Sequence, residues 1–307
     1  MKQGIIDIGS NSIRLTLYET DGQNFRVLFR EKVMAGLAGY VENGALSAEG
    51  IECACAGLMK FRGILNTLGI ENVRVFATAS LRNISNTRQA LSVIEAATGF
   101  TIEVISGEEE ALLGYTGAML ELHISGGAFI DVGGASTEVV TFDDRKPEEL
   151  TSFPIGSLSL YRRCVKKILP GEGSLKRLHG EIKKNIGGRD ERLGSRPLVI
   201  GVGGTARAAM NLARHYYGIS GDCRSMTSGQ LDGLCDFLCG GTKEASDLIL
   251  RLEADRVHTI VPGLMIHRHV FHIFHAEQLV VSGYGVREGY LCKRILMSDT
   301  SSHKTAN

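Results

Sequence analysis

Three short runs of small and hydroxylated residues follow apolar stretches in this chain. They are Asp7-Ile8-Gly9-Ser10-Asn11-Ser12, Asp131-Val132-Gly133-Gly134-Ala135-Ser136 and Gly201-Val202-Gly203-Gly204-Thr205. Glycine lets the backbone turn tightly and approach a phosphate closely. The successive N–H groups of such a turn form a concavity for an anion, and Ser and Thr hydroxyls add donors. One run alone reads as an ordinary hairpin turn. Three in one chain, two of them led by an aspartate at the same offset, point to a phosphate chain gripped from two sides. The expected phosphate-facing residues are Gly9, Ser10, Asn11, Ser12, Gly133, Gly134, Ala135, Ser136, Gly203, Gly204 and Thr205.

Asp7 and Asp131 stand at the ends of apolar segments, where a carboxylate is costly to desolvate without a partner. Mg²⁺ or another divalent cation fits that position, because it takes one or two carboxylates and shares phosphate oxygens. The plainer alternative is that each aspartate caps its own turn. Transfer of a phosphoryl group to water further requires a water held in line with the phosphorus, and a carboxylate can orient and deprotonate it. Glu108-Glu109-Glu110 follow Ser106-Gly107 at an expected helix start. Acidic residues there also suit the helix dipole. Adjacent helical residues diverge, so at most one or two of the three can serve the chemistry.

The elements that must position these residues follow from periodicity. Ile5–Ile8, the alternating Ile13–Tyr18 and Phe25–Phe29 read as strands broken by turns. A helix is expected from the cap Ser47 to Leu65, then a strand at Val73–Ala77, a helix at Asn86–Ala97, a strand at Ile102–Ile105 and a helix from Glu108. The opening pattern then recurs as Ala128–Val132, a Gly-rich turn and Thr137–Phe142. Further helices are expected at Leu158–Ile168, Leu175–Asn185 and Ala206–His215, with strands at Leu198–Val202 and Gln278–Ser282. Two copies of one supersecondary unit imply two similar domains, here residues 1–122 and 123–307. The polar tail 300–307 is expected to be disordered.

Composition narrows the classes. Lys plus Arg and Asp plus Glu are each 34 and the formal net charge is zero, so an anion site has to be built by local placement of charge. Nothing favours nucleic acid as a partner. Seven scattered cysteines without a CxxC pair read as reduced thiols of a cytoplasmic protein. No apolar run reaches membrane-spanning length. A homodimer is compatible with the sequence.

Together the motifs Asp7-Ile-Gly-Ser-Asn-Ser12, Ala77-Thr-Ala-Ser-Leu-Arg82, Ile105-Ser-Gly-Glu-Glu-Glu-Ala111, Asp131-Val-Gly-Gly-Ala-Ser-Thr137, Gly201-Val-Gly-Gly-Thr205 and Ser282-Gly-Tyr-Gly-Val-Arg-Glu-Gly289 are similar, in order and over nearly the whole chain, to the exopolyphosphatase / guanosine pentaphosphate phosphohydrolase family. Phe153-Pro-Ile-Gly-Ser157 and Arg256 to Gly263 fit as well. The resemblance implies an α/β, actin-like ATPase fold of two ribonuclease-H-like domains around an interdomain cleft. It implies Mg²⁺-dependent hydrolysis of terminal phosphate from inorganic polyphosphate or guanosine pentaphosphate. By position it assigns Glu110 as the catalytic glutamate, Arg82 as a phosphate-facing arginine, and Asp7 and Asp131 as metal-associated. Two departures stand out. Ala135 occupies the place of a third glycine, and the chain resembles short members that lack a helical C-terminal domain.

Two rival readings remain within reach of the fold. One is a small-molecule kinase of the same superfamily, and the other a guanosine penta- or tetraphosphate sensor without turnover. The basic residues Arg162-Arg163, Lys166-Lys167 and Lys183-Lys184 read equally as a solvated helix face or as a path for a long polyanion. His267, His269, His272 and His275 alternate with apolar residues, which favours packing over ligation. Cys235 and Cys239 read as small hydrophobes on a helix.

Overall fold

The computed structural model describes residues 1–22, 24–187 and 194–297. The expected disorder of 300–307 lies outside these residues. The first strand, β1 (Lys2–Ile8), is buried almost throughout, with Ile5, Ile6 and Ile8 at 0% exposure. A near-continuous apolar run of this kind suits a strand covered on both faces. It pairs antiparallel with β2 (Ile13–Asp21), which pairs antiparallel with the edge strand β3 (Asn24–Val33). A two-residue pair follows, β4 (Val41–Glu42) with β5 (Ala45–Leu46). On its other side β1 runs parallel to β6 (Val73–Ala77), itself parallel to β7 (Ile102–Val104). The sheet order is β3-β2-β1-β6-β7.

The second half repeats this order. The strands β8 (Gly127–Val132), β9 (Thr137–Asp143) and β10 (Lys146–Phe153) form the antiparallel part. The strands β11 (Leu198–Val202) and β13 (Gln278–Val281) continue it in parallel, and β12 (Ser225–Thr227) closes the edge, giving β10-β9-β8-β11-β13-β12. Both sheets thus carry the ribonuclease-H-like order that the family resemblance implies, the order of an actin-like ATPase fold.

Helices cover the sheets for reasons visible in their residues. The helix α1 (Ala48–Thr67) begins where the Ser47 hydroxyl accepts from the Gly50 amide, and it buries Ala54, Leu58, Phe61 and Leu65. Together with α3 (Thr87–Thr98), which follows the single-turn α2 (Ala79–Arg82), it closes one face of the first sheet. The opposite face holds Ile5, Tyr18 and Phe76 against Tyr290 and Leu291 of the helix Val286–Leu291. In the second half the helix Ile260–Ile273 is apolar all round its first two turns, and Ile260 to His267 are all buried. A helix without a polar face belongs in a core, and it packs there with Gly203–Tyr217 and Ser228–Cys239.

By contacts the chain forms two compact units, Met1–Leu113 with the chain from Val286 onward, and Gly114–Gly285. This differs from the expected single cut at 122/123. The division falls inside the helix α4 (Gly107–Glu121). The chain from Val286 returns to the first unit because Tyr290 and Leu291 fill its second apolar face, with Tyr290 stacked on Phe76 at a centroid distance of 4.7 Å. The helix expected to reach Ile168 ends at Cys164, where Val165 is already extended.

Candidate phosphate-binding site

The two hairpin turns are the same object built twice. In the first unit the Gly9 amide donates to the Ser12 carbonyl at 3.1 Å; in the second the Gly133 amide donates to the Ser136 carbonyl at 3.0 Å. A Cβ at Gly9 would stand 3.0 Å from Ser12 O, and one at Gly133 3.1 Å from Ser136 O. Ala135 has no positive φ, so its methyl group puts no strain on the second loop.

Each loop is also braced in the same way, by the segment after the third strand of its sheet. The Gly36 and Ala38 amides donate to the carbonyls of Asn11 and Ser10 at 2.9 and 3.0 Å. The Ser157, Leu158 and Ser159 amides donate to Gly133 and Gly134 carbonyls, each at 2.9 Å, and the Ser157 hydroxyl adds a bond of 3.0 Å to Gly133 O. Gly156 comes so close that a Cβ there would lie 2.6 Å from Ala135 N. With their carbonyls engaged, the loops keep their amides for a ligand. Among the described residues, those of Ser10, Asn11, Gly134 and Ala135 donate to no protein acceptor. Such rows of amides bind anions.

The third loop opens a helix. Gly203 has φ +78°, and a Cβ there would overlap Oδ1 of Asp131. Glycine is therefore required twice over, by conformation and by the carboxylate against it. A Cβ at Gly204 would overlap the guanidinium of Arg256. The Thr205 hydroxyl donates to Val132 O at 2.9 Å and ties this loop to the strand that carries Asp131. The helix Gly203–Tyr217 turns its N-terminus to this place, which favours an anion.

In the first unit the sequence-predicted residues gather at the carboxyl ends of the parallel strands β1, β6 and β7, where ligands of α/β sheets bind. The Ile8 carbonyl, one residue before Gly9, accepts from the Thr78 amide at 3.4 Å and the Ser80 hydroxyl at 2.6 Å. That contact seats α2, which carries Arg82. The Arg82 guanidinium donates to Ile105 O at 3.1 Å and pairs with Glu110 at 2.8 Å, both side chains largely buried. The glutamate triplet is resolved by this geometry. Ser106 and Glu109 exchange hydrogen bonds of 3.1 Å as a capping box, Glu108 is exposed, and Glu110 alone is buried.

The two aspartates have different neighbours. Across the hairpin Asp7 faces Arg14, whereas Asp131 faces Glu138. Opposed side chains of an antiparallel pair share one face at about 5 Å. Burial raises the Asp7 carboxyl above the usual carboxylate range; Arg14 and Arg287 oppose that rise and Glu288 adds to it. Arg287 is held by Thr16 Oγ1 at 2.7 Å, and Glu288 accepts from the Tyr18 hydroxyl at 2.9 Å. Glu138 is 1% exposed and accepts from Ser152 Oγ at 2.8 Å. Among the described residues no three His, Cys, Asp or Glu converge as a closed metal cage. Mg²⁺ does not need one, since a carboxylate or two, waters and substrate phosphate complete its shell. Asp131 and Glu138 face each other across their hairpin as a carboxylate pair of the kind that donor set uses, whereas Asp7 faces Arg14.

Comparison with known proteins decides the family. The model of the Ppx/GppA phosphatase family matches residues 16–298. The chain belongs to this family. A Haemophilus influenzae protein provisionally named an exopolyphosphatase is 29% identical over 93% of this chain and 89% of its own length. The crystal structure of the Aquifex aeolicus Ppx/GppA family member superposes with a TM-score of 0.78 at 27% identity, over 97% of this chain and 99% of that one. An exopolyphosphatase structure from Cytophaga hutchinsonii shares the fold, with a TM-score of 0.85 at 23% identity over 97% and 98% of the two chains.

Within this Ppx/GppA chain, the first unit holds Asp7, Gly9–Ser12, Arg82 and Glu110. The second holds Asp131, Gly133–Ser136 and Gly203–Thr205. The structure adds residues that the motifs contained without assigning. Arg256 lies over Gly204, Glu138 stands beside Asp131, and Arg14, Arg287 and Glu288 surround Asp7. A signal was present, because Arg14 and Glu138 occupy the same place in the two copies of the hairpin. The histidines disperse: His267 is buried and held neutral, its pKa lowered to about 4 by burial, while His272 pairs with Asp232 at 3.1 Å. Among the described residues no helix is long and apolar enough to cross a membrane.

Proposed function

We propose that this chain hydrolyses the terminal phosphate of inorganic polyphosphate or guanosine pentaphosphate in the cytoplasm, with Mg²⁺ and with Glu110 orienting the attacking water. The observation that carries the reading is the Arg82–Glu110 pair of 2.8 Å at the carboxyl end of β7. It sets one buried carboxylate, out of three consecutive glutamates, at the end of the sheet that bears the first glycine loop. The name of the relative in Haemophilus supports the polyphosphate part of this reading.

The chemistry asks little covalent work of the protein. A phosphoryl group in transfer carries its charge on its equatorial oxygens, and catalysis is mostly positioning and charge stabilisation. In the first unit the amides of Ser10 and Asn11, with the hydroxyls of Ser10 and Ser12, are the donors for such oxygens; in the second unit the amides of Gly134 and Ala135, with the hydroxyl of Ser136, are their counterparts. The third loop, Gly203-Gly204-Thr205, adds its helix N-terminus. Arg82 faces the phosphate and fixes the Glu110 carboxylate in one orientation. Glu110 accepts a hydrogen bond from the water and takes its proton as the bond to phosphorus forms. Asp131 and Glu138 in the second unit, or Asp7 in the first, would hold Mg²⁺, which when bound would supply charge neutralisation on the phosphate.

The test is phosphate release from long polyphosphate, short polyphosphate and guanosine pentaphosphate, side by side, with and without Mg²⁺ and with water as the only acceptor. Release from at least one, dependent on the cation, is expected. Tight binding without release would select a sensor, and release only with an added acceptor would select a kinase. Glu138→Gln is expected to raise the Mg²⁺ concentration needed for half-maximal rate more than Asp7→Asn does. The reverse order would return the metal to Asp7.

A further inference from the structure

The neutral chain has one strongly cationic stretch. Between Tyr161 and Gly187 stand eight Lys and Arg residues (Arg162, Arg163, Lys166, Lys167, Lys176, Arg177, Lys183 and Lys184) against two glutamates, Glu172 and Glu181. The structure gathers them. Arg177 donates to Cys164 O at 3.1 and 2.9 Å, and Arg163 pairs with Glu181 at 2.9 Å. These contacts join the end of the helix Ser157–Cys164 to the helix Glu172–Ile186. The Tyr161 hydroxyl holds the turn of Lys166 and Lys167 through Lys167 O at 3.0 Å. Lys166, Lys167, Lys176, Lys183 and Lys184 are exposed and, among the described residues, meet no carboxylate at ion-pair distance.

The position of the band matters more than its charge. The helix Ser157–Cys164 is the one whose first amides brace Gly133 and Gly134. It leads from that phosphate loop to Arg162 and Arg163, a rise of about 9 Å from Ser157 to Arg163 at 1.5 Å per residue. We propose that this band of the second unit is a track for the distal phosphates of a long inorganic polyphosphate whose terminal phosphates occupy the loop. The inference rests on the proposed hydrolysis and deepens it, by favouring long polyphosphate over a nucleotide or a very short chain.

The chemistry fits a bare phosphate chain better than a nucleic acid. Single-stranded nucleic acid is held by aromatic platforms on which bases stack. The one aromatic residue of the band, Tyr161, has its hydroxyl tied to Lys167 O and its ring against His258, centroids 4.9 Å apart. Most of the cations are lysines, point charges that need no fixed geometry in their partner. A flexible row of single charges is such a partner.

The test is the variant carrying Lys166→Glu, Lys167→Glu, Lys183→Glu and Lys184→Glu, with a Lys→Gln counterpart at the same four positions should charge reversal disturb folding. Rates are measured on tripolyphosphate and on polyphosphate of several hundred units, at low and at high salt. The expected result is a KM for long chains raised about tenfold or more at low salt, with the gap closing at high salt as screening removes the attraction. The kinetics on tripolyphosphate should stay within about twofold of the parent, because that substrate reaches only the loops. Equal effects on both substrates, or none on the long one, would overturn the proposal. Direct binding of long polyphosphate, followed by gel mobility, separates this inference from the hydrolytic one. Loss of binding in the variant supports the track even if the parent releases no phosphate, and unchanged binding removes it. Equal retention of a charge-matched single-stranded RNA, abolished by the same variant, would reassign the band to nucleic acid.

Discussion

Glu110 and Arg82 meet at 2.8 Å, and the same guanidinium reaches the carbonyl of Ile105 at 3.1 Å. One arginine thereby fixes both the helix that carries the carboxylate and the end of the strand before it. Arg82→Lys keeps a charge but not the planar fork. The expected result is a fall in kcat of about a hundredfold, as for loss of one transition-state donor, with folding intact. Unchanged kcat in this variant would limit Arg82 to a structural role.

Gly203 tests the close approach of the third loop to Asp131. Gly203→Ala places a methyl group on a residue with φ +78°, against the Asp131 carboxylate. Backbone strain of this kind costs about 1–3 kcal/mol, and the carboxylate has to move. A lower melting temperature and a raised Mg²⁺ requirement are expected together. Ala135→Gly is the control, since Ala135 holds an ordinary φ. Its kinetics should stay near those of the parent.

Asp7 is predicted to trade stability for function. Its carboxyl is raised above the usual range, chiefly by burial. Below the ordinary carboxylate pKa the group is protonated both folded and unfolded and has no effect. Between that value and the raised one the folded state binds more protons, so stability falls as pH rises through the window. The cost sets in above the ordinary carboxylate pKa and is complete above the raised one. Asp7→Asn is therefore expected to raise the melting temperature at pH 7, to change it little well below pH 4, and to lower turnover. A variant destabilised at pH 7 would mean that Arg14 and Arg287 outweigh the cost of burial.

The legible part of this molecule was its duplication. Strand, Gly/Ser turn and strand recur at Asp7 and Asp131, and the hairpins have matching bonds from Gly9 to Ser12 and from Gly133 to Ser136. The glutamate cluster was legible only as a set. Choosing Glu110 from its neighbours on physical grounds needed the capping box that occupies Glu109 and the exposure of Glu108. The strand β10 was hidden because its start, Lys146-Pro-Glu-Glu149, is charged, exposed and bulged at an edge, where no apolar alternation is required. The return of Val286–Leu291 to the first unit was hidden because nothing local reveals which distant face Tyr290 fills. Arg256 sits far along the chain from Gly204, and only tertiary structure puts its guanidinium there.

The most direct test of the account combines binding and turnover on one sample of Glu110→Gln. The substitution keeps size and hydrogen-bonding capacity while removing the charge that orients and deprotonates water. The account predicts polyphosphate binding within about threefold of the parent and kcat lowered by about a thousandfold or more, with the Glu108→Gln variant turning over normally. Turnover in Glu110→Gln equal to that of the parent would contradict the central claim.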